Sequence, residues 1–119
     1  MRKKKPPKTS KKAIISKLDI AWSKAVKEKT PYCIICGRTS YLNAHHIFSR
    51  RYMSTRWDLV NGVTLCRGCH LFYAHQKYEE FRDKIIEIIG TEEFLRLKTA
   101  SNEIKKWDLD ELQQLLENL

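Results

Sequence analysis

The sequence predicts an α+β fold: a small zinc-stapled core containing short strands, with an N-terminal helix before it and helices after it. Three observations carry this expectation. Cysteine occurs only as two C-x2-C pairs, Cys33/Cys36 and Cys66/Cys69, with 29 residues between them. Two short β-prone runs, 41–48 and 61–65, lie between the pairs and are bounded by turn residues. On either side of that span, apolar residues recur at three- and four-residue steps, the mark of amphipathic helices.

The elements follow in order. Over 13–29, Ile14, Leu18, Ala21, Trp22 and Ala25 form one apolar helical face, and Thr30-Pro31 ends it. A tight turn carries Cys33 and Cys36, with Gly37 as a position for relaxed backbone angles, and Gly68 is expected to do the same in the second knuckle. Residues 49–58 read as a loop with arginine and aromatic side chains, in which Trp57 is expected to be core and to pack on the zinc knuckle. Asn61-Gly62 opens the second strand as a turn. One helix is expected over 70–89, ended by Gly90, with Thr91 capping another over 92–99. Asp108 and Glu111 form a capping box for a last helix, 109–118. Its Leu109, Leu112, Leu115, Leu116 and Leu119 share a face, expected to pack back against the first helix, with a dimer seam as the alternative and the oligomeric state left open.

A chain of 119 residues has room for one domain, expected over 13–119. With 42% hydrophobic and 31% charged residues, it does not have the composition of a disordered chain. No apolar stretch is long enough for a transmembrane helix, and the basic N-terminus lacks the apolar core of a signal peptide. The expectation is a soluble cytoplasmic protein with no membrane partner, where cysteines bind metal rather than form disulfides.

The charge is concentrated. Of the formal net charge of +9, residues 1–56 hold 15 basic and 2 acidic groups, a net of +13, and residues 57–119 a net of −4. The run RKKKPPKTSKK places seven positive charges in eleven residues, and its two prolines oppose a helix. Residues 1–12 are therefore expected to form a flexible basic arm that meets the phosphate backbone of nucleic acid. A solubilising tail and an anionic membrane surface are the blander alternatives.

Each C-x2-C turn lets two thiolates converge on one tetrahedral ion, and two such turns fill the coordination shell of Zn²⁺. Such an ion is structural, and its binding energy is folding energy for a small core. Redox pairs or disulfides would use the same spacing, but they do not explain two pairs in a small lysine-rich chain. Between and after the cysteines stand His45, His46 and His70. In a strand, 45 and 46 point to opposite faces and do different jobs. His70 follows Cys69 at the start of a helix, where free N–H groups favour phosphate. Each histidine could be a bystander, a metal ligand or a base. Asn61 could clamp backbone or orient a histidine. His75, five residues beyond His70, is expected to point about 140° away and miss the site.

Taken in order, Cys33-Ile34-Ile35-Cys36, Ala44-His45-His46-Ile47, Asn61 and Leu65-Cys66-Arg67-Gly68-Cys69-His70 resemble the HNH endonuclease family. Fifteen positions separate His46 from Asn61, and nine separate Asn61 from His70. The resemblance covers a motif core of about 31–76 and leaves 77–119 as a helical tail. It implies a ββα-metal finger and a metal-dependent DNA endonuclease that leaves 5′-phosphate and 3′-hydroxyl ends. It further implies His46 as general base, Asn61 as the catalytic-site residue that holds the base-bearing loop and orients its imidazole, and His45 and His70 as ligands of a catalytic divalent ion. Two imidazoles without a carboxylate favour Mn²⁺, Ni²⁺ or Zn²⁺ over Mg²⁺. Arg50, Arg51, Arg56, Lys3, Lys4 and Lys5 would contact the DNA backbone. Small basic proteins of this arrangement include many from phages, which implies phage packaging or recombination proteins as partners and the host cytoplasm as location. A weaker likeness is to a phage recombination nuclease group acting on DNA structure. The competing class, a non-catalytic zinc-finger DNA-binding module, explains the cysteines and charge but not the histidines and Asn61 at those steps.

The arm yields a test. Deleting residues 1–12 should weaken binding of every duplex sequence alike, because lysines on phosphates do not read bases. An arm that neutralises about two to four phosphates should, when deleted, flatten the slope of log K against log salt by roughly 2 to 4 units. Titration of a short labelled duplex across a salt series measures it, and an unchanged slope would leave the arm a solubility tail.

Overall fold

The computed structural model of the protein describes residues 10–119; Lys3, Lys4 and Lys5, with most of the expected arm, lie outside the described residues. The chain runs α1 (Lys11–Lys29), β1 (Leu42–His46), a 3-10 turn (Leu59–Asn61), β2 (Gly62–Cys66), α2 (Arg67–Gln76), α3 (Tyr78–Ile89), α4 (Thr91–Ser101) and α5 (Leu109–Asn118). The described residues thus form five helices and a two-stranded antiparallel sheet, an α+β fold.

α1 starts two residues earlier than its apolar periodicity predicts. The Ser10 hydroxyl accepts from the Ala13 N–H at 3.1 Å, which caps the helix before the stripe begins. Lys11 and Lys12 therefore belong to the helix rather than to an arm, and a truncation that spares the cap ends at residue 9. The stripe Ile14, Leu18, Trp22 and Val26 is buried, with Lys27 and Lys29 in the last turn where the helix dipole favours cations. α5 returns against it. Leu112 is buried in the same cluster as Ile14, Leu18, Trp22, Val26 and Trp57, with Leu115, Leu116 and Leu119 beside them. The Asp108–Glu111 capping box is present in both directions.

β1 and β2 pair with His45 opposite Val63 and His46 opposite Gly62. The alternation of side chains across the sheet gives it two differently packed faces. On one side Val63, Leu65, Phe81 and Ile85 join Cys33, Cys66 and Cys69 in a core under α2 and α3. On the other, α1 lies against the sheet, and Thr64 Oγ1 donates to the Val26 carbonyl at 3.4 Å.

Four expectations are corrected. The helix expected over 70–89 is two helices, broken at Lys77, whose φ of −123° is not helical. Thr91 is the first residue of α4 rather than its cap; Gly90, at φ 90°, takes that position. Gly68 lies in the first turn of α2, so only Gly37 of the two knuckle glycines adopts a positive φ, 78°. Trp57 is buried, but against α1 and α5 rather than on the zinc knuckle, because its Nε1–H donates to Asp19 on α1 at 2.9 Å.

Gly62 is required for its size. A Cβ there would stand 2.5 Å from Val26 Cγ2 and 2.6 Å from Trp22 Cζ2. Gly62→Ala should push α1 off the sheet and cost about 1–3 kcal/mol, as overpacking does. A lower denaturant midpoint at unchanged slope is the expected result.

Candidate metal centre and histidine groove

The four cysteines are free thiols whose sulfurs all lie within 4.8 Å of one another. Cys36 Sγ and Cys66 Sγ are 3.6 Å apart. Four sulfurs about 2.3 Å from a tetrahedral Zn²⁺ would sit roughly 3.8 Å apart, so the cluster has the size of a zinc shell. Local structure aims each thiol. Gly37 N–H donates to the Cys33 carbonyl and Cys33 N–H to the Arg38 carbonyl, both at 2.8 Å, closing the first knuckle. Cys66 ends β2 and caps α2, its sulfur accepting from the Cys69 N–H at 3.4 Å.

Burial raises the Cys33 thiol, but the backbone N–H groups of Cys36, Cys66 and Ile35 outweigh it and hold it at about 6. Burial and the three neighbouring thiols push Cys69 up. One sulfur is ready to ionise while another resists in the same cluster. A divalent cation resolves that conflict by holding all four as thiolates. The donor set therefore fits zinc.

The histidines occupy both faces of β1. His45 turns toward α2 and α3, with its ring 5.0 Å from His70 and 5.3 Å from Phe81. Burial pushes its pKa down to about 4, with His70, His46 and His75 adding to the effect. His46 turns toward α1 and stacks on the Trp22 indole at 3.8 Å, the planes 8° apart. Burial lowers its pKa too, partly offset by its bond to the Arg56 carbonyl and by Asp19. His70, in the first turns of α2, is lowered by burial and then by His75. All three imidazoles are neutral at neutral pH and retain a lone pair.

His46 Nε2 lies 2.8 Å from the Arg56 carbonyl. A carbonyl oxygen only accepts, so Nε2–H donates and Nδ1 keeps the lone pair. Asn61 is fully buried and touches backbone rather than imidazole. Its Oδ1 accepts from Phe48 N–H at 2.8 Å, and its Nδ2 donates to the Phe48 and Thr55 carbonyls at 3.0 Å. It thus clamps the loop that leaves β1 just after His46. His45, His46, His70, Ser49, Arg50 and Tyr78 line one open groove.

Arg50 is exposed and lines this groove; Arg51 is exposed beside the 101–105 segment instead, donating to the Tyr52 hydroxyl at 2.9 Å. Arg56 differs from the expectation of a phosphate contact. Its Nε and Nη2 donate to the two oxygens of Asp19 at 3.0 and 2.7 Å, and its side chain is only 16% exposed. His75 also departs from expectation, with its ring 5.0 Å from His70. Side chains on a helix tilt toward its N-terminus, which swings His75 back over the turn carrying His70. The three histidines form a chain of edge-to-face rings; among the described residues, only the cysteines converge as a closed group of donors.

Sequence reading missed Trp22 and Asp19 as neighbours of His46. Trp22 reads as one more apolar position in a helical stripe. Asp19 carried a signal, as one of only two acidic residues among the first 56.

These features define a small α+β protein with a four-sulfur cluster that could hold a metal ion, a β-strand pair leading into a helix, and a histidine groove beside it. Residues 33–75 match the family model described as HNH endonuclease, and that stretch resembles an HNH domain. The match covers the strand pair, both knuckles and α2 as far as His75; α1, α3, α4 and α5 lie outside it. No curated protein and no solved structure matches the chain. The domain supports a nuclease-type function, with DNA as the substrate class. No helix among the described residues is long and apolar enough to cross a membrane.

Purified protein should contain one tightly bound zinc per chain. Cys66→Ser should lose both the metal and the fold, because it removes a ligand, the end of β2 and the α2 cap together. Elemental analysis after mild chelation, beside circular dichroism, tests this; a folded, zinc-free wild type would be the contrary result.

Proposed function

We propose that this chain is a divalent-metal-dependent DNA endonuclease that hydrolyses phosphodiester bonds in the groove of His45, His46 and His70. The observation that carries the reading is the state of His46. It is a neutral imidazole facing the groove, with Nε2 tied to a backbone carbonyl and its lone pair on Nδ1. An imidazole anchored in this way supports the catalytic reading over a non-catalytic zinc module.

In this reading His46 Nδ1 takes a proton from water, and the water oxygen bonds to phosphorus. The bond from phosphorus to the 3′ oxygen breaks, and that oxygen gains a proton from solvent, leaving a 5′-phosphate and a 3′-hydroxyl. Trp22 fixes the plane of the base by stacking. Asn61 holds the loop between β1 and the Arg56 carbonyl, so the carbonyl and the strand keep their separation. A divalent ion held by the imidazoles of His45 and His70, with His75 close by, would supply Lewis-acid charge to the phosphate. The all-nitrogen donor set favours Mn²⁺, Ni²⁺ or Zn²⁺ over Mg²⁺. Arg50 and Arg51, with Lys3, Lys4 and Lys5, would contact phosphates and set the position of DNA without reading its sequence. A zinc ion on Cys33, Cys36, Cys66 and Cys69 would keep the second knuckle, and His70 with it, in place. The domain expected over 13–119, extended to the Ser10 cap of α1, works as one unit, and phage packaging or recombination proteins are the partners this reading favours, in the host cytoplasm.

Plasmid nicking with each of the four ions, with and without EDTA, tests the reading. His46→Ala should retain zinc, fold and most DNA affinity while losing roughly 10² to 10⁴ in rate, the range of a general base. Equal cleavage by wild type and His46→Ala would assign the base elsewhere.

A further inference from the structure

His46 is held from a helix that the HNH match does not include. Asp19 lies on α1, three residues before Trp22. Its Oδ1 accepts from Arg56 Nε at 3.0 Å and from Trp57 Nε1 at 2.9 Å, and its Oδ2 accepts from Arg56 Nη2 at 2.7 Å. One carboxylate therefore ties the side chains of two consecutive residues. The peptide unit between those residues contains the Arg56 carbonyl, the group that accepts from His46 Nε2. That unit is planar, so fixing both of its flanking side chains restricts the direction of its oxygen. A bidentate guanidinium–carboxylate pair adds geometric specificity as well as attraction. Burial raises the Asp19 pKa, but the Arg56 and Trp57 donors outweigh it and keep the carboxyl below its usual range. The clamp is therefore charged at neutral pH.

The same helix orients the ring itself. Trp22 stacks on the imidazole, and its Nε1–H donates to the Asp58 carbonyl at 2.9 Å, just beyond the clamped peptide. α1 thus controls the plane of His46 through Trp22 and its hydrogen-bond direction through residues 56 and 57.

We propose that Asp19 is a positioning residue for His46: through Arg56 and Trp57 it aims the Arg56 carbonyl at Nε2 and so holds the imidazole in the tautomer that leaves Nδ1 open. The catalytic consequence rests on the reading of His46 as the base; the geometric consequence does not. A simple anchor for α1 would stabilise the fold without selecting a tautomer, and this difference makes the two roles separable.

The experiment uses the zinc-loaded full chain at one fixed pH. Long-range ¹H–¹⁵N spectra of the imidazoles report which ring nitrogen of His46 carries the proton. Wild type should show the Nε2–H form alone; an Nδ1–H form would overturn the proposal before any variant is made. Asp19→Asn, which keeps the side-chain shape and loses the charge, should shift His46 to a mixture of tautomers. It should lower kcat roughly 10-fold or more, as misplacement of a catalytic group does, with KM changed less than about 2-fold. Arg56→Lys, which keeps a charge but loses the two-pronged pair, should show the same changes and carries the test if Asp19→Asn does not fold. Folded variants with the wild-type tautomer pattern overturn the proposal, whatever their rate. A tautomer shift at wild-type kcat upholds the positioning role and removes His46 as base. A wild type that nicks DNA with none of the ions refutes the nuclease reading, and the spectra still decide the role of Asp19.

Discussion

The convergence of four sulfurs is the constraint from which the rest of the site is built. Cys66 belongs to three structures at once. It ends β2 opposite Leu42, its sulfur caps α2, and that sulfur stands 3.6 Å from the Cys36 sulfur of the first knuckle. With a cation among the thiols, strand, knuckle and helix share one rigid node, and the direction in which α2 leaves β2 is no longer free. His70 stands one turn into that helix and His45 on the paired strand. A cation at that node would tie together the strand and the helix that carry these two rings, which stand 5.0 Å apart.

The sheet divides the site by the simplest rule of strand geometry. His45 and His46 are neighbours in sequence and belong to different environments, one among α2 and α3 and the other on α1. His45 and His70 are half-buried neighbours on the open groove, an all-nitrogen pair suited to a cation. His46 has an indole against its face and a carbonyl on one nitrogen, an arrangement suited to proton transfer. Gly62 joins these requirements, because the missing side chain opposite His46 is the space that Trp22 occupies.

The loop between the strands is long but well tied. Asn61 holds it at Phe48 and Thr55, and Asp19 holds it at Arg56 and Trp57. Thr55 and Ser101 share a buried hydrogen bond at 2.9 Å, which also connects the loop to α4. The segment that carries the His46 acceptor is therefore fixed from the sheet, from α1 and from α4. Two of those three anchors lie outside the HNH match, so the supporting parts of the site belong to this chain's flanking helices.

Much of this is legible in the sequence because it is local or periodic. The C-x2-C pairs announce a zinc shell by spacing, the Ile14–Trp22 stripe announces α1, and Asp108 with Glu111 announces the start of α5. The opposite facing of His45 and His46 follows from a strand's two-residue repeat. What the sequence does not determine depends on approach between distant residues. Arg56 reads as one basic group in a basic loop, and only the packing of α1 makes it the partner of Asp19, 37 positions away. Trp57 reads as core on the wrong side, because burial follows from composition whereas its neighbours do not. His75 reads as off the site, because helical angle ignores the tilt of side chains toward the N-terminus. Periodicity reports which face of an element is apolar; the partner of that face, and the polar groups the packing brings together, are decided only when the elements meet.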